Sequence, residues 1–589
     1  MKKVIAATLV VLSLLLVSCG VNLHKYEESE YYPLIEKIDE YNTAQKKIER
    51  KNNVLGFFAY IFGGFIGKGG HVDMEAEDNA DNMMGSGEYI EVTDNQVGGV
   101  IESDLMKMTD QYIFRLGGNV LRVYSVDKEN SSEVACFEIP QFEDDRYNGY
   151  YYNLEMYLSS DCKTITLVGS YTVTGNLASS KVGIISLDVS DVTKINERSR
   201  VSVDGSLNTT RMVDGKFIIV SDFYFSRKEM DYAEPDTFVP GINYGNENQC
   251  IEFDDIVYPD EISSTNYSVV TIMDSENLQI LGSKALLNFT SDVYISENSV
   301  YITREYTKKD DNMQVQMSDI VVMNYSSDNL SEANIVTIPG WAEDQYSFDE
   351  KDGYLRVVTS TLETITSTDS MTSSARVKRN AGLYIIDLKT NEVAYKVENF
   401  APDGEQATAV RFDGDKCYVC TAVVVTFTDP VFFFDLSDYE NINYTDTGII
   451  EGYSDHLINY GDGKLLGIGR EDWEFSKVEI YENGQDGVEG TYEFKFQGNY
   501  SLDYKAYMVN RSDGLFGFAV EYYIEGDYYT SNYKYYDCYI LITIDGDSVE
   551  ETIIKMDGSM NADKVRAVFL DGYLYITTDY ELVVEKVDR

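Results

Sequence analysis

The stretch DEKDGYLRVVT, residues 349–359, reads as the end of one strand, a two-residue turn and the start of another. Asp-Gly supplies the left-handed backbone that a tight hairpin turn needs, and Tyr, Leu, Val and Thr suit a pleated, half-buried surface. The outline returns as MVDGKFIIV (212–220), RFDGDKCYV (411–419), YGDGKLLGI (460–468), RSDGLFGFA (511–519) and FLDGYLYIT (569–577). Nine such turns can be placed, at Asp110, Asp161, Asp214, Asn298, Asp352, Asp413, Asp462, Asp513 and Asp571, and six of them are Asp-Gly. They lie 49 to 61 residues apart except for one gap of 84.

Each turn is followed by a strand, a loop of variable length, and a further strand often ending in Asp, as in VVTIMD, LYIID and VFFFD. A last short strand such as VTIPG or EFKFQG precedes the next turn. Four strands per unit of about 50 residues predict a β-propeller, because one small twisted sheet cannot bury both faces and radial stacking does so. The expectation is an all-β chain with a single large propeller over 88–589, of eight or nine four-stranded blades, nine by the turn count. Closure is expected between the chain termini. The last unit runs to Arg589 without an outer strand, and EYIEV (88–92) is expected to complete it and remove the exposed edge. The gap of 84 holds an insertion at about 226–266, expected on one rim as a ligand-meeting loop.

Ahead of the repeats, MKKVIAATLVVLSLLLVSCG has a short basic head, an apolar run too brief to span a bilayer, and LVSC ending at Cys19. Residues 1–18 are therefore expected to be a lipoprotein signal peptide, because LVSC resembles the bacterial lipobox, whose cysteine is lipidated. Acyl chains contribute about 0.8 kcal/mol per buried methylene, so two or three hold a protein on a membrane. The expected location is extracytoplasmic, anchored by lipid at the cell surface. Residues 19–87 are expected to be a helical and linker region. Leu34, Ile35 and Ile38 share a helical face and Pro33 suits a helix start. The apolar VLGFFAYIFGGFIG (54–67) is shorter than the roughly 20 residues a membrane crossing takes.

Composition narrows the function classes. With 48 basic and 100 acidic residues, a formal charge of −52, the surface repels phosphate backbones, and no nucleic-acid partner is expected. The carboxylates are candidate Ca²⁺ ligands, although without an EF-hand or Asp-rich nonapeptide the expected effect of Ca²⁺ is mostly screening. Of six further cysteines, Cys417 and Cys420 have CxxC spacing. They fall in a predicted strand, where residues three apart face opposite ways, and are read as ordinary strand cysteines.

Several segments resemble an uncharacterised family of secreted bacterial proteins with a C-terminal β-propeller domain. They are TDNQVGGVIESDLMKMTDQYIF (93–114), SVDGSLNTTRMVDGKFIIVS (202–221), IPGWAEDQYSFDEKDGYLRVVT (338–359), AVRFDGDKCYVCTAVVVTFTDPVFFFDLSD (409–438) and GYSDHLINYGDGKLLGIGRE (452–471). The series covers roughly 90–485. Ile101 and Ile458 stand where the family commonly has Asp and His. The resemblance implies a fold and an extracytoplasmic location, and it implies no reaction.

Chemistry is sparse. Of the three histidines, His24, His71 and His456, one lies in the repeats, which argues against multi-His metal sites or His-based catalysis there. GxSxG and GxxxxGK[ST] do not occur. The acidic pairs at 144–145 and 254–255 are read as solvated. Arg356 and Arg411, each in a repeat strand, are candidates to pair with Asp349 or Glu350 or to grip an anionic ligand. The Tyr-rich NGYYYNLEMY and EYYIEGDYYTSNYKYYDCY offer rings for a sugar or a protein. The functional expectation is a non-enzymatic module binding a protein or glycan, with no cofactor. The alternative is a carbohydrate-active enzyme using Asp/Glu pairs.

Overall fold

At Asp214-Gly215, Asp352-Gly353 and Asp571-Gly572 both turn residues have positive φ. Their flanks pair directly, Val213 with Lys216, Lys351 with Tyr354 and Leu570 with Tyr573. These are the two-residue hairpins that Asp-Gly favours, since glycine tolerates the left-handed region and Asp resists it less than most residues. The computed structural model describes residues 23–46 and 89–587 apart from short internal stretches.

Nine antiparallel meanders follow one another, called units 1 to 9 here. They cover 106–138, 150–204, 206–287, 293–339, 348–398, 406–446, 453–496, 508–555 and 566–586. Unit 9 has three strands and the rest have four. In eight units the expected Asp or Asn turn joins the first strand to the second, and in unit 7 the paired Gly461 and Lys464 flank 462–463, which lie outside the described residues. The Asp that closes many third strands caps the next turn: Asp188 accepts from the Ser190 backbone N–H, Asp274 from Glu276, Asp387 from Lys389 and Asp435 from Ser437, all at 2.8–3.0 Å. This is the local side-chain-to-backbone bond for which Asp is suited.

Because strands alternate in direction, these two kinds of turn share one end of each unit, the turn rim. The connections from second to third strand share the other end, the arm rim. In units 4, 5 and 8 the arm-rim hairpins are long, with strands of 12, 16 and 13–14 residues. Those of units 4 and 5 pair from Met313–Ile365 to Val315–Glu363 and merge the two units into an eight-stranded sheet.

Apolar clusters lie between consecutive units. Leu116 and Val123 of unit 1 meet Leu167 and Ile185 of unit 2, and Val182 and Ile184 of unit 2 meet Phe217 and Ile219 of unit 3. The series continues through units 3 to 9. Met106, Met108 and Ile113 of unit 1 then pack against Val568 and Tyr575 of unit 9. Cys417 lies in the cluster shared with unit 5 and Cys420 in that shared with unit 7, on opposite faces of their strand. No disulfide joins any of the six described cysteines.

Two expectations are corrected. Tyr89 and Ile90 pair with Thr109 and Met108 of unit 1's own first strand, so residues 88–92 do not complete unit 9. The ends of the repeat meet by face packing instead, while the chain after residue 90 is drawn inward by buried polar contacts. Residues 23–46 hold the expected helix. A 3-10 turn (Leu23–Tyr26) precedes a helix that begins at 32, with Pro33 in its first turn. Leu34, Ile35 and Ile38 are fully buried against Phe223, Phe225, Phe238, Val239 and Ile251. Tyr31 Oη donates to the Ile251 carbonyl at 2.9 Å and Lys37 Nζ to that of Asp260 at 2.6 Å. The insertion at 226–266, expected as an open ligand loop, is thus largely a seat for this helix. Residues 1–22 and 54–67 lie outside the described residues.

Candidate functional site

Residues 91–107 draw the first strands together. Thr93 Oγ1 donates to Asp104 at 2.9 Å, and the Glu102 backbone N–H to Asn95 at 2.8 Å. Gln96 reaches the Gln345 carbonyl beside unit 5 at 3.0 Å, and Asp94 pairs with Arg511 of the loop in unit 8 at 3.0 Å. Asp104 exchanges backbone hydrogen bonds with Met156 of unit 2. One irregular segment therefore touches several sheets at their inner ends.

Its carboxylates are met by cations from distant units. Glu102, 1% exposed, pairs with Arg211 of unit 3 at 3.1 Å and accepts from the Tyr504 hydroxyl. Arg211 also donates to Gln345 Oε1 at 2.7 Å. Asp104 is fully buried and accepts from Arg566 Nε of unit 9 at 2.6 Å, while the same guanidinium reaches Asp503 at 2.7 Å. Lys107 contacts Glu91 at 3.3 Å, and Lys505 contacts Glu155 at 3.0 Å. Burial pushes the Asp104 carboxyl up, but Arg566, Lys107 and Lys505 together outweigh it and hold it below its ordinary value. The charges close to balance. Six carboxylates (Glu91, Asp94, Glu102, Asp104, Glu155, Asp503) meet five cations (Lys107, Arg211, Lys505, Arg511, Arg566), in a chain with twice as many acids as bases. A centre neutralised from within ties sheets together, and it favours the ionised form of Asp104, which does not suit proton donation from that carboxyl.

Beside it, His456 of unit 7 is buried with its ring edge-on to Tyr507 at 5.5 Å. Burial pushes its pKa down to about 4, so the ring is neutral at pH 7. Neither ring nitrogen has a hydrogen-bond partner among the described residues.

The residues singled out from sequence serve the joints between units. Asp349 and Arg356 are opposite each other across a strand pair, and Arg356 Nε donates to Asp349 at 2.8 Å. Arg356 Nη1 also reaches the Gly414 carbonyl in unit 6 at 2.7 Å, with its guanidinium 5.0 Å over the Phe412 ring. Glu350 accepts from Tyr301 of unit 4 at 2.6 Å and from Ser296. Arg411 lies buried 5.2 Å over the Tyr346 ring. The first three clamp neighbouring units rather than gathering as a ligand cradle, and Arg411 stacks on a ring. Of the acidic pairs, Asp255 bonds Lys284 at 2.6 Å; Asp145 lies outside the described residues. Among the described residues no three His, Cys, Asp or Glu side chains gather to hold a metal.

Sequence reasoning missed Glu102, Asp104, Arg211, Lys505 and Arg566. A signal existed in two of them: TTRMVDG and KVRAVFLDG place an Arg ahead of the turn as RFDGD does.

The fold and its centre define an all-β protein of successive four-stranded sheets tied at their inner ends by buried ion pairs. The chain belongs to the family described as the beta propeller domain, whose model matches residues 91–589. An uncharacterized protein of Archaeoglobus fulgidus is 27% identical over 293 residues, 49% of this chain and 40% of that one. An uncharacterized protein of Methanocaldococcus jannaschii is 27% identical over 244 residues, 40% and 34% of the two chains. The chain thus matches two fifths or less of the length of these relatives. Solved structures with a likeness include a putative 6-phosphogluconolactonase from Bacteroides uniformis, at 10% identity and TM-score 0.27, over 56% of this chain and 90% of that one. Another is a functionally unknown protein from Desulfotomaculum acetoxidans, at 9% identity and TM-score 0.29, over 75% and 97%.

Proposed function

We propose that this chain is a non-enzymatic recognition module: one closed propeller of nine blades, exported, lipid-anchored through Cys19, and binding a protein or glycan through one rim. Ring closure is supported by the packing of unit 9 on unit 1, which gives every unit a neighbour on both faces. The observation that carries the functional reading is the self-neutralised centre. Its carboxylates are committed to Arg and Lys from other units, which leaves the rims as the contact surfaces. Cys19 lipidation rests on LVSC behind the basic head. No cofactor is needed, and Ca²⁺ acts on the −52 charge mainly by screening.

The test is a screen of immobilised glycans and cell-surface proteins with the purified protein. A saturable ligand released unchanged is the expected result. Turnover of a glycan, abolished by one Asp or Glu substitution, would overturn the reading in favour of a carbohydrate-active enzyme.

A further inference from the structure

The two rims differ in composition as well as in length. Of the thirteen large apolar or aromatic side chains exposed among the described residues, nine lie at the arm rim and four on outer strands. None lies at the turn rim. The arm-rim set includes the five most exposed of all, Tyr580 (79%), Trp473 (77%), Tyr535 (67%), Tyr522 (57%) and Val377 (55%). They are spread over the connections of units 5, 7, 8 and 9, with Tyr224 and Met313 extending the set to units 3 and 4. A set dispersed over six of the nine units along one rim fits a plane better than a single protein partner, whose hot spots cluster. Trp and Tyr are the residues that settle at bilayer headgroup depth, where one end of the ring is apolar and the other wet.

Both rims carry acidic side chains, and the long hairpins add basic ones. Eight of the nine first-to-second turns carry Asp, and Asp188, Asp274, Asp387 and Asp435 add to that rim. The long hairpins of units 4, 5 and 8 expose Lys308, Lys309, Arg376, Arg379 and Lys534 beside Asp310 and Glu525, and the unit 3 insertion exposes Asp231, Glu234, Asp236, Glu252 and Asp254. The Lys and Arg side chains on those hairpins are the groups an anionic headgroup attracts.

The N-terminal helix supplies the third observation. It packs on Phe223 and Phe225 at the end of unit 3's second strand and on Tyr267 and Val269 at the start of its third, which is the arm-rim end. Leu23 opens the packed segment four residues after Cys19. Four residues span at most about 14 Å.

We propose that the arm rim rests on the lipid bilayer, with the exposed rings of units 7 to 9 at headgroup depth and the helix of residues 32–46 holding the anchored end at the same face. The carboxylate-rich turn rim then points away from the membrane and is the surface offered to a partner. This rests on the lipid-anchored reading and adds an orientation to it.

The chain has two tryptophans, so Trp341→Phe leaves Trp473 as sole reporter. The full chain, processed and lipidated in cells, is reconstituted on phosphatidylethanolamine–phosphatidylglycerol vesicles with or without spin-labelled lipid. The expected results are flotation with the vesicles and Trp473 emission shifted to the blue and roughly halved by the spin label. A reporter on the opposite rim, Thr390→Trp in a chain lacking both native tryptophans, is expected to stay open to aqueous iodide. Flotation with Trp473 still quenched by iodide and not by lipid overturns the orientation while leaving the anchor standing. Failure to float overturns the anchor, and the orientation with it. Replacing Tyr522, Tyr535 and Tyr580 by Ser is expected to leave the melting temperature unchanged and to return Trp473 toward the aqueous signal.

Discussion

The centre of this molecule and its arm rim use polar and aromatic groups in opposite ways. At the centre, charged side chains are buried and matched: Glu102 with Arg211, and Asp104 with Arg566. At the arm rim, aromatic rings stand in solvent on hairpins that run past the packed sheets, as with Tyr522 and Tyr535. A buried charge is tolerated only when paired, so the centre is intolerant of change in any one member. An exposed ring adds little to folding, so the rim is free to serve contact. Rigidity and, in the function proposed, recognition thus fall to different residues of the same repeats.

The most severe way to break this contrast is Arg566→Ala. It leaves the fully buried Asp104 and the partly exposed Asp503 without their guanidinium, and the expected loss is about 3–5 kcal/mol by urea unfolding. A loss below about 0.5 kcal/mol would mean that the centre is no more critical than the surface. Next comes the part of the rim that has become core. Ile35→Ala removes a fully buried side chain between helix and insertion and is expected to weaken their docking by about 2–4 kcal/mol. Faster hydrogen exchange at residues 23–46 and 250–262, with units 5 to 9 unchanged, is the reading to seek. Equal protection in both proteins would return the insertion to the rim.

The smallest effect concerns Glu343, in the loop that delivers Gln345 to the centre. Burial pushes its carboxyl up to about 7 from an ordinary 4.5, with the Ser360 hydroxyl bond pulling the other way. The folded chain therefore holds a proton there that the unfolded chain releases between those values. Its contribution is fullest below about pH 4.5 and is lost as pH rises through 7. Glu343→Gln is expected to make the fall of melting temperature from pH 4.5 to pH 8 shallower. An unchanged slope would place Glu343 with the solvated carboxylates of the rims.

Much of the fold was legible because its determinants are local. Asp-Gly turns, strand alternation and the Asp at the end of third strands each act within a few residues, and the eight turns among the described residues join the strands they were expected to join. Asp349 and Arg356 were found because seven residues separate them across one hairpin. Arg566 and Asp104 lie 462 residues apart, and Glu102 and Tyr504 lie 402 apart. No spacing rule links such pairs. The same limit explains the error over residues 88–92, where strand propensity was readable and the choice of edge was not.

By itself, then, the sequence determined the repeat, its turns, the apolar face of the N-terminal helix and the acidic character of the surface, since propensity and periodicity need only near neighbours. Only the tertiary structure decided which sheet follows which in space, where the helix docks, which carboxylates meet which cations, and that the exposed rings gather at one end. Those outcomes depend on burial and pairing between residues brought together by folding, and burial is a property of the whole molecule.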